Sequence, residues 1–184
     1  MDINELSGRV SSDFSSIDVQ ARNLLKIFIC GRHKDLVDKQ CIEELCIELK
    51  DLNGEFKVSG TFIMEHIKTV EKMEHHQKFE LIWKQIQMGD NFPLCIMYGG
   101  KSATISQGFN AELQTVCKDQ SKKQHTVLIR HNEAQLVPYA NEFISFSVNS
   151  NDEFKKVAKN IVRSKLAEIK SFLTYKSLQL QSGN

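Results

Sequence analysis

Apolar residues in this 184-residue chain gather in short blocks, and the spacing inside each block predicts its secondary structure. Leu24 to Cys30 is an apolar run broken only by Lys26 and closed by Gly31. Such a run reads as a buried strand of a parallel sheet. From Asp35 to Leu52, the residues Val37, Cys41, Leu45, Leu49 and Leu52 recur at spacings of four and three, the stripe of an amphipathic helix. Asn53-Gly54 stops that helix. Phe56 to Met64 is rich in Val, Thr, Phe and Ile and predicts a second strand, with Gly60 inside it.

Residues 65–77 are charged and weakly periodic, so they form either a long loop or the early turns of the next helix. That helix shows its face at Phe79, Ile82, Trp83 and Ile86 and ends near Gly89. Pro93 to Tyr98 is the third strand, followed by the breaker Gly99-Gly100. Phe109 to about Asp119 is a short helix, His125 to Arg130 the fourth strand and Glu142 to Val148 the fifth. Asp152 is placed to cap a long last helix with the stripe Phe154, Val157, Ile161, Leu166, Ile169 and Leu173, long enough for a homodimer seam. Residues 1–22 are polar and Ser-rich, which predicts a mobile arm or a short docking helix, and residues 176–184 predict a frayed tail.

Between these ends, residues 23–175 make a single α/β domain. Strands alternating with helices imply a three-layer fold, a parallel five-stranded sheet between helices. Right-handed crossovers leave few topologies, and the flavodoxin-like (Rossmann-like) order 2-1-3-4-5 fits best. Its switch point lies between strands one and three. Ligands collect there, at the carboxyl ends of the strands.

Composition narrows the classes. A net charge of +1 gives no basic surface for nucleic acid. No apolar run approaches the roughly 20 residues of a membrane span, and Met1 to Glu5 lacks a signal-peptide pattern. Five cysteines without close pairing point to reduced thiols in a cytoplasmic protein, and no C-x-x-C pair suggests a metal. His33 and the pair His75-His76 are the remaining acid–base or metal-ligating candidates, or plain surface histidines. No cofactor is expected.

Phosphate and nucleophile motifs are missing at the switch point. Strand one is followed by Gly31 without a G-x-G-x-x-G, and neither a P-loop nor a G-x-S-x-G is present. What remains is Glu112, in Ser106-Gln107-Gly108-Phe109-Asn110-Ala111-Glu112-Leu113, about a turn inside the helix after strand three. One reading makes Glu112 a nucleophile or oxocarbenium stabiliser for a glycosidic bond. The other makes it a capping-box side chain. In the first reading Arg32 and Lys34 hold phosphate with help from the helix dipole. Gly31, His33, Gly99, Gly100, Ser106, Gly108 and Asn110 line the pocket, and Phe62 and Tyr98 stack on a base.

The segment Gly108-Phe109-Asn110-Ala111-Glu112 resembles the G-x-x-x-E segment of nucleoside 2-deoxyribosyltransferases, and Lys26-Ile27-Phe28-Ile29-Cys30-Gly31 is similar to their first strand and turn. Glu112-Leu113 also resembles the catalytic region of TIR-type NAD-cleaving domains, which share the coarse element order. The resemblance implies a Glu nucleophile acting on a nucleoside, a nucleotide or NAD. Two other classes stay open: a non-catalytic nucleotide-sensing module, and a TIR-like interaction domain that works by self-assembly.

Overall fold

A computed structural model describes residues 16–31, 35–63, 73–100, 107–134 and 140–182. Helix α1 (16–24) runs directly into β1 (Leu25–Cys30). There follow α2 (Leu36–Lys50), β2 (Gly60–Ile63), α3 (His75–Ile86) and β3 (Phe92–Gly99). The chain continues through α4 (Gln107–Cys117), α5 (Gln120–Lys123), β4 (Thr126–His131), a 3-10 turn at Ala140–Glu142, β5 (Ile144–Val148) and α6 (Asn151–Ser182). All strand pairs are parallel and the sheet order is β2-β1-β3-β4-β5. The flavodoxin-like arrangement expected from the strand and helix alternation is therefore present.

Strand alternation divides the core in two. Leu25, Ile27 and Ile29 of β1, with Leu94, Ile96 and Tyr98 of β3, point to the face covered by α1, α2 and α6. Phe28, Cys30, Cys95, Met97 and Leu128 point to the face covered by α3 and α4. Each face buries aromatic side chains. Phe28, Phe79 and Trp83 form a chain of rings at 5.4 and 6.1 Å on one, and Tyr98 stacks on Phe154 at 3.8 Å on the other. Lys155–Glu44, Lys159–Glu48 and Arg163–Glu55 ion pairs hold α6 alongside α2 and the segment after it.

Several boundaries differ from the sequence reading. The α2 stripe is rotated. Asp38, Cys41, Ile42, Leu45, Cys46 and Leu49 are buried, while Val37 and Leu52 are 67% and 74% exposed. A sheet needs a wider contact face than a line of residues four apart, and the pairs 41–42 and 45–46 supply it. Strand β2 starts at Gly60 rather than at Phe56. Val58 N–H donates to Leu49 O at 2.8 Å, and Lys57 has φ +41, so this stretch turns back on α2 before joining the sheet. The docking-helix alternative describes residues 16–22, where Ala21 is buried and Arg22 donates to Glu55 O.

Of the charged segment, residues 75–77 are the first turn of α3, entered through Glu74 N–H donating to Gln77 Oε1 at 3.1 Å. The rest, up to 72, lies outside the described residues. Helix α4 begins two residues before Phe109, and α5 is a separate turn capped by Asp119, which accepts from Ser121 N–H at 2.9 Å. Ser150, not Asp152, opens α6: Glu153 N–H donates to Ser150 Oγ at 3.2 Å. Helix α6 continues through Ser182, so the segment expected to fray is helical up to there. No helix among the described residues is long and apolar enough to cross a membrane.

Candidate functional site

The switch point is built from the ends of β1 and β3. Gly31 follows β1 where a Cβ would strike Ile42 Cδ1 of α2 and approach Tyr98 O at 3.4 Å. A side chain there would have to push aside the end of the Ile42 side chain. After β3, Gly100 is buried against Asp38, whose carboxylate would collide with any Cβ at that position. Gly99 is less demanding, since a Cβ there would meet Arg130 Cβ at an ordinary 3.7 Å.

Asp38 is 3% exposed and lies in the first turn of α2. The turn is held open by Asp35, whose Oδ1 accepts from Val37 N–H at 3.0 Å and Asp38 N–H at 3.2 Å. Sequence reasoning missed Asp38. The available signal was its spacing of three and four from Cys41 and Ile42, which puts a carboxylate on the buried face.

Glu112 lies on the opposite face of the sheet. It is the sixth residue of α4, which begins at Gln107. That is beyond the third helical position a capping box requires, so the capping reading is excluded. Phe109, Leu113 and Val116 are buried on the same side of α4, and Glu112 lies among them at 5% exposure. Burial raises its carboxyl to about 8. Its charge is felt by Cys30, the last residue of β1, whose thiol is pushed well up by burial, by Cys95 and by Glu112. Glu112 is therefore within electrostatic reach of the last residue of β1. Two carboxyl groups are thus buried on opposite faces of the sheet, Asp38 against Gly100 at the end of β3 and Glu112 within α4.

The other expected residues divide by face. Phe62 pairs in register with Phe28 and is half-buried against the core that contains Glu112's neighbours. Tyr98 faces the other way. It is fully buried, its ring stacks on Phe154, its hydroxyl donates to Asn151 Oδ1 at 2.6 Å, and burial raises its pKa. Tyr98 is thus a core residue whose ring is turned from Glu112. Tyr98→Phe keeps the stack and is expected to lower stability by roughly 1 kcal/mol while leaving any catalysis unchanged, checked by urea melts. Gly108 is buried and Asn110 half-buried in the first turn of α4. Arg32, His33, Lys34 and Ser106 lie outside the described residues, as does the His75 side chain; His76 is exposed.

A cleft of about 450 Å³ opens beside Asp38, lined also by Asp35, His131, Asn149 and Asn151. His131 is fixed within it. Its Nδ1 accepts from Glu133 N–H at 3.1 Å, which leaves Nε2–H to donate to Asn149 O at 2.8 Å. That pairing makes it a structural histidine. Another cleft, of about 500 Å³, lies between β5 and α6 and includes neither carboxyl group. Among the described residues, no group of three or more His, Cys, Asp or Glu side chains could hold a metal ion. The chain matches no protein-family model and no curated protein.

Proposed function

We propose that the chain breaks or transfers the glycosidic bond between ribose and base in a nucleoside, a nucleotide or NAD. Glu112 carries this reading: a carboxyl group buried at the end of a parallel sheet, with its pKa raised to about 8. A group with that pKa is mostly protonated at neutral pH. It can act as a general acid toward a departing base.

In a nucleoside or nucleotide the C1′–N bond breaks, its electron pair goes to the base and the base takes the Glu112 proton; the nicotinamide of NAD, already cationic, leaves as a neutral base without one. The new carboxylate faces the positive charge growing on C1′. Water or a second base then adds to C1′, and its proton returns to Glu112. Asp38, on the other side of the crevice, accepts hydrogen bonds from sugar hydroxyls. Arg32 and Lys34, between β1 and α2, take a phosphate at the α2 N-terminus. Phe62, on Glu112's side of the sheet, offers its ring to the base.

Incubation with mixed nucleosides, nucleotides and NAD, followed by mass analysis of free bases, tests the reading. Glu112→Gln is expected to reduce base release by about 10²–10⁴-fold. The pH profile has a definite sign: kcat/KM should fall tenfold per pH step above about 8, where Glu112 loses its proton. A rate that rises through that range, or an unaffected Gln variant, sinks the assignment. Ligand-dependent stabilisation without any released base would instead identify a nucleotide-sensing module.

A further inference from the structure

Helix α6 leaves one corner of its sheet face uncovered. Ile144 and Phe146 share the side on which Val148 is buried, because alternate strand residues point the same way. They are nevertheless 66% and 40% exposed. They form one wall of the 500 Å³ cleft, and the opposite wall is the flank of α6 that carries Val157, Ile161, Lys165 and Glu168.

That flank continues past the cleft. Ile161, Lys165, Glu168, Phe172 and Tyr175 follow one another at spacings of four, three, four and three, which keeps them on one helix face. Phe172 and Tyr175 are 49% and 61% exposed, and Leu178 in the next turn is 58% exposed. A single face of α6 thus carries an open apolar cleft along its middle and an apolar ridge toward its end. Among the described residues, nothing of the chain fills the cleft, and the ridge is met only on one side, where the Phe92 ring stands edge-on to Phe172 at 5.6 Å.

We propose that a second copy of this chain fills both. The two α6 helices pack antiparallel about a two-fold axis at the level of Leu166 and Ala167, and each lays Phe172 and Tyr175 into the cleft of the other. Antiparallel pairing at that level sets Ile161 opposite the partner's Phe172 and Lys165 opposite the partner's Glu168. A two-fold interface must be complementary to itself. Here the ridge answers the cleft, and a cation answers an anion on the same face. Lys165 and Glu168 pair within one helix at 2.8 Å, so each is already oriented on this surface.

Sedimentation of the full chain is expected to give about twice its 21.1 kDa mass. Lys165→Glu and Glu168→Lys should each be monomeric alone, because each sets like charges across the axis. Mixed in equal amounts, they should recover a dimer that contains one chain of each. Phe172→Asp should weaken the dimer by about 30-fold or more, as loss of a central aromatic anchor does. Far-ultraviolet circular dichroism verifies that each variant keeps its helices. A wild-type chain that stays monomeric at its highest soluble concentration overturns the proposal. So does a dimer that survives the three substitutions, or folded charge variants that fail to recombine.

Discussion

Glu112→Gln makes the folded chain more stable at pH 8, by on the order of 4–5 kcal/mol, and changes stability little at pH 4. The expectation follows from burial. The carboxyl titrates near 4.5 when free in water and at about 8 in the fold. Below 4.5 both folded and unfolded chains hold the proton, so the neutral group's compatibility with the core is fully present. Between 4.5 and 8 the unfolded chain releases the proton while the folded chain keeps it, and stability falls as pH rises. Above 8 the folded chain is ionised too and the loss is complete. The substituted amide copies the shape of the neutral acid and cannot ionise, so the downward slope disappears. Urea melts of both proteins at pH 5, 6.5 and 8 measure this. Parallel stability curves for the two would show that Glu112 is not desolvated in solution.

A core position that destabilises its own fold is what a functional carboxyl looks like energetically. The same substitution should raise stability and remove base release. A capping or surface glutamate would do neither. The pairing of the two readouts is therefore stronger than either alone.

The sheet was readable because its strands are buried on both faces, so Leu24 to Cys30 and Pro93 to Tyr98 appear as nearly unbroken apolar runs. Gly31 and Gly99-Gly100 mark where those strands end, and the crossover rules supply the order. Glu112 stood out because it is the one carboxylate in the stretch Ser106 to Leu113, which opens a helix after such a strand.

Asp38 was not readable by the same means. Val37 is apolar and starts a regular four-residue series, yet its side chain is exposed, and the polar residue beside it is the one that packs. Hydrophobic spacing finds the side of a helix that prefers to be dry, and a buried acid stands against that preference. Tyr98 shows the converse. An aromatic residue near a predicted crevice suggests base stacking, but strand alternation turns it to the opposite face, onto Phe154. The course of α6 past Lys176 carried little signal, because the apolar residues there are exposed on their own chain and lack a core stripe.

Gly100→Ala is expected to destabilise the fold by about 1–3 kcal/mol, in the range of an overpacked core, and to dismantle the site. The added methyl group would occupy the space of the Asp38 carboxylate. Asp35 holds the backbone of the first turn of α2 through the N–H groups of Val37 and Asp38, so Asp38 yields by turning its carboxylate out of its buried place toward the 450 Å³ cleft it lines. Either that rotation or a shift of α2 displaces the carboxylate from the strand end. Removing the obstruction should relieve the clash: Gly100→Ala combined with Asp38→Ala should be less destabilised than the two single changes added together, with a coupling of about 0.5–3 kcal/mol. Gly99→Ala is the internal control, since its methyl group finds ordinary contact distance to Arg130. Thermal melts of the four variants form the test. Additive effects at positions 38 and 100, or an equal loss at 99, would mean that the Asp38 carboxylate does not rest on Gly100 and that the second acid of the crevice lies elsewhere.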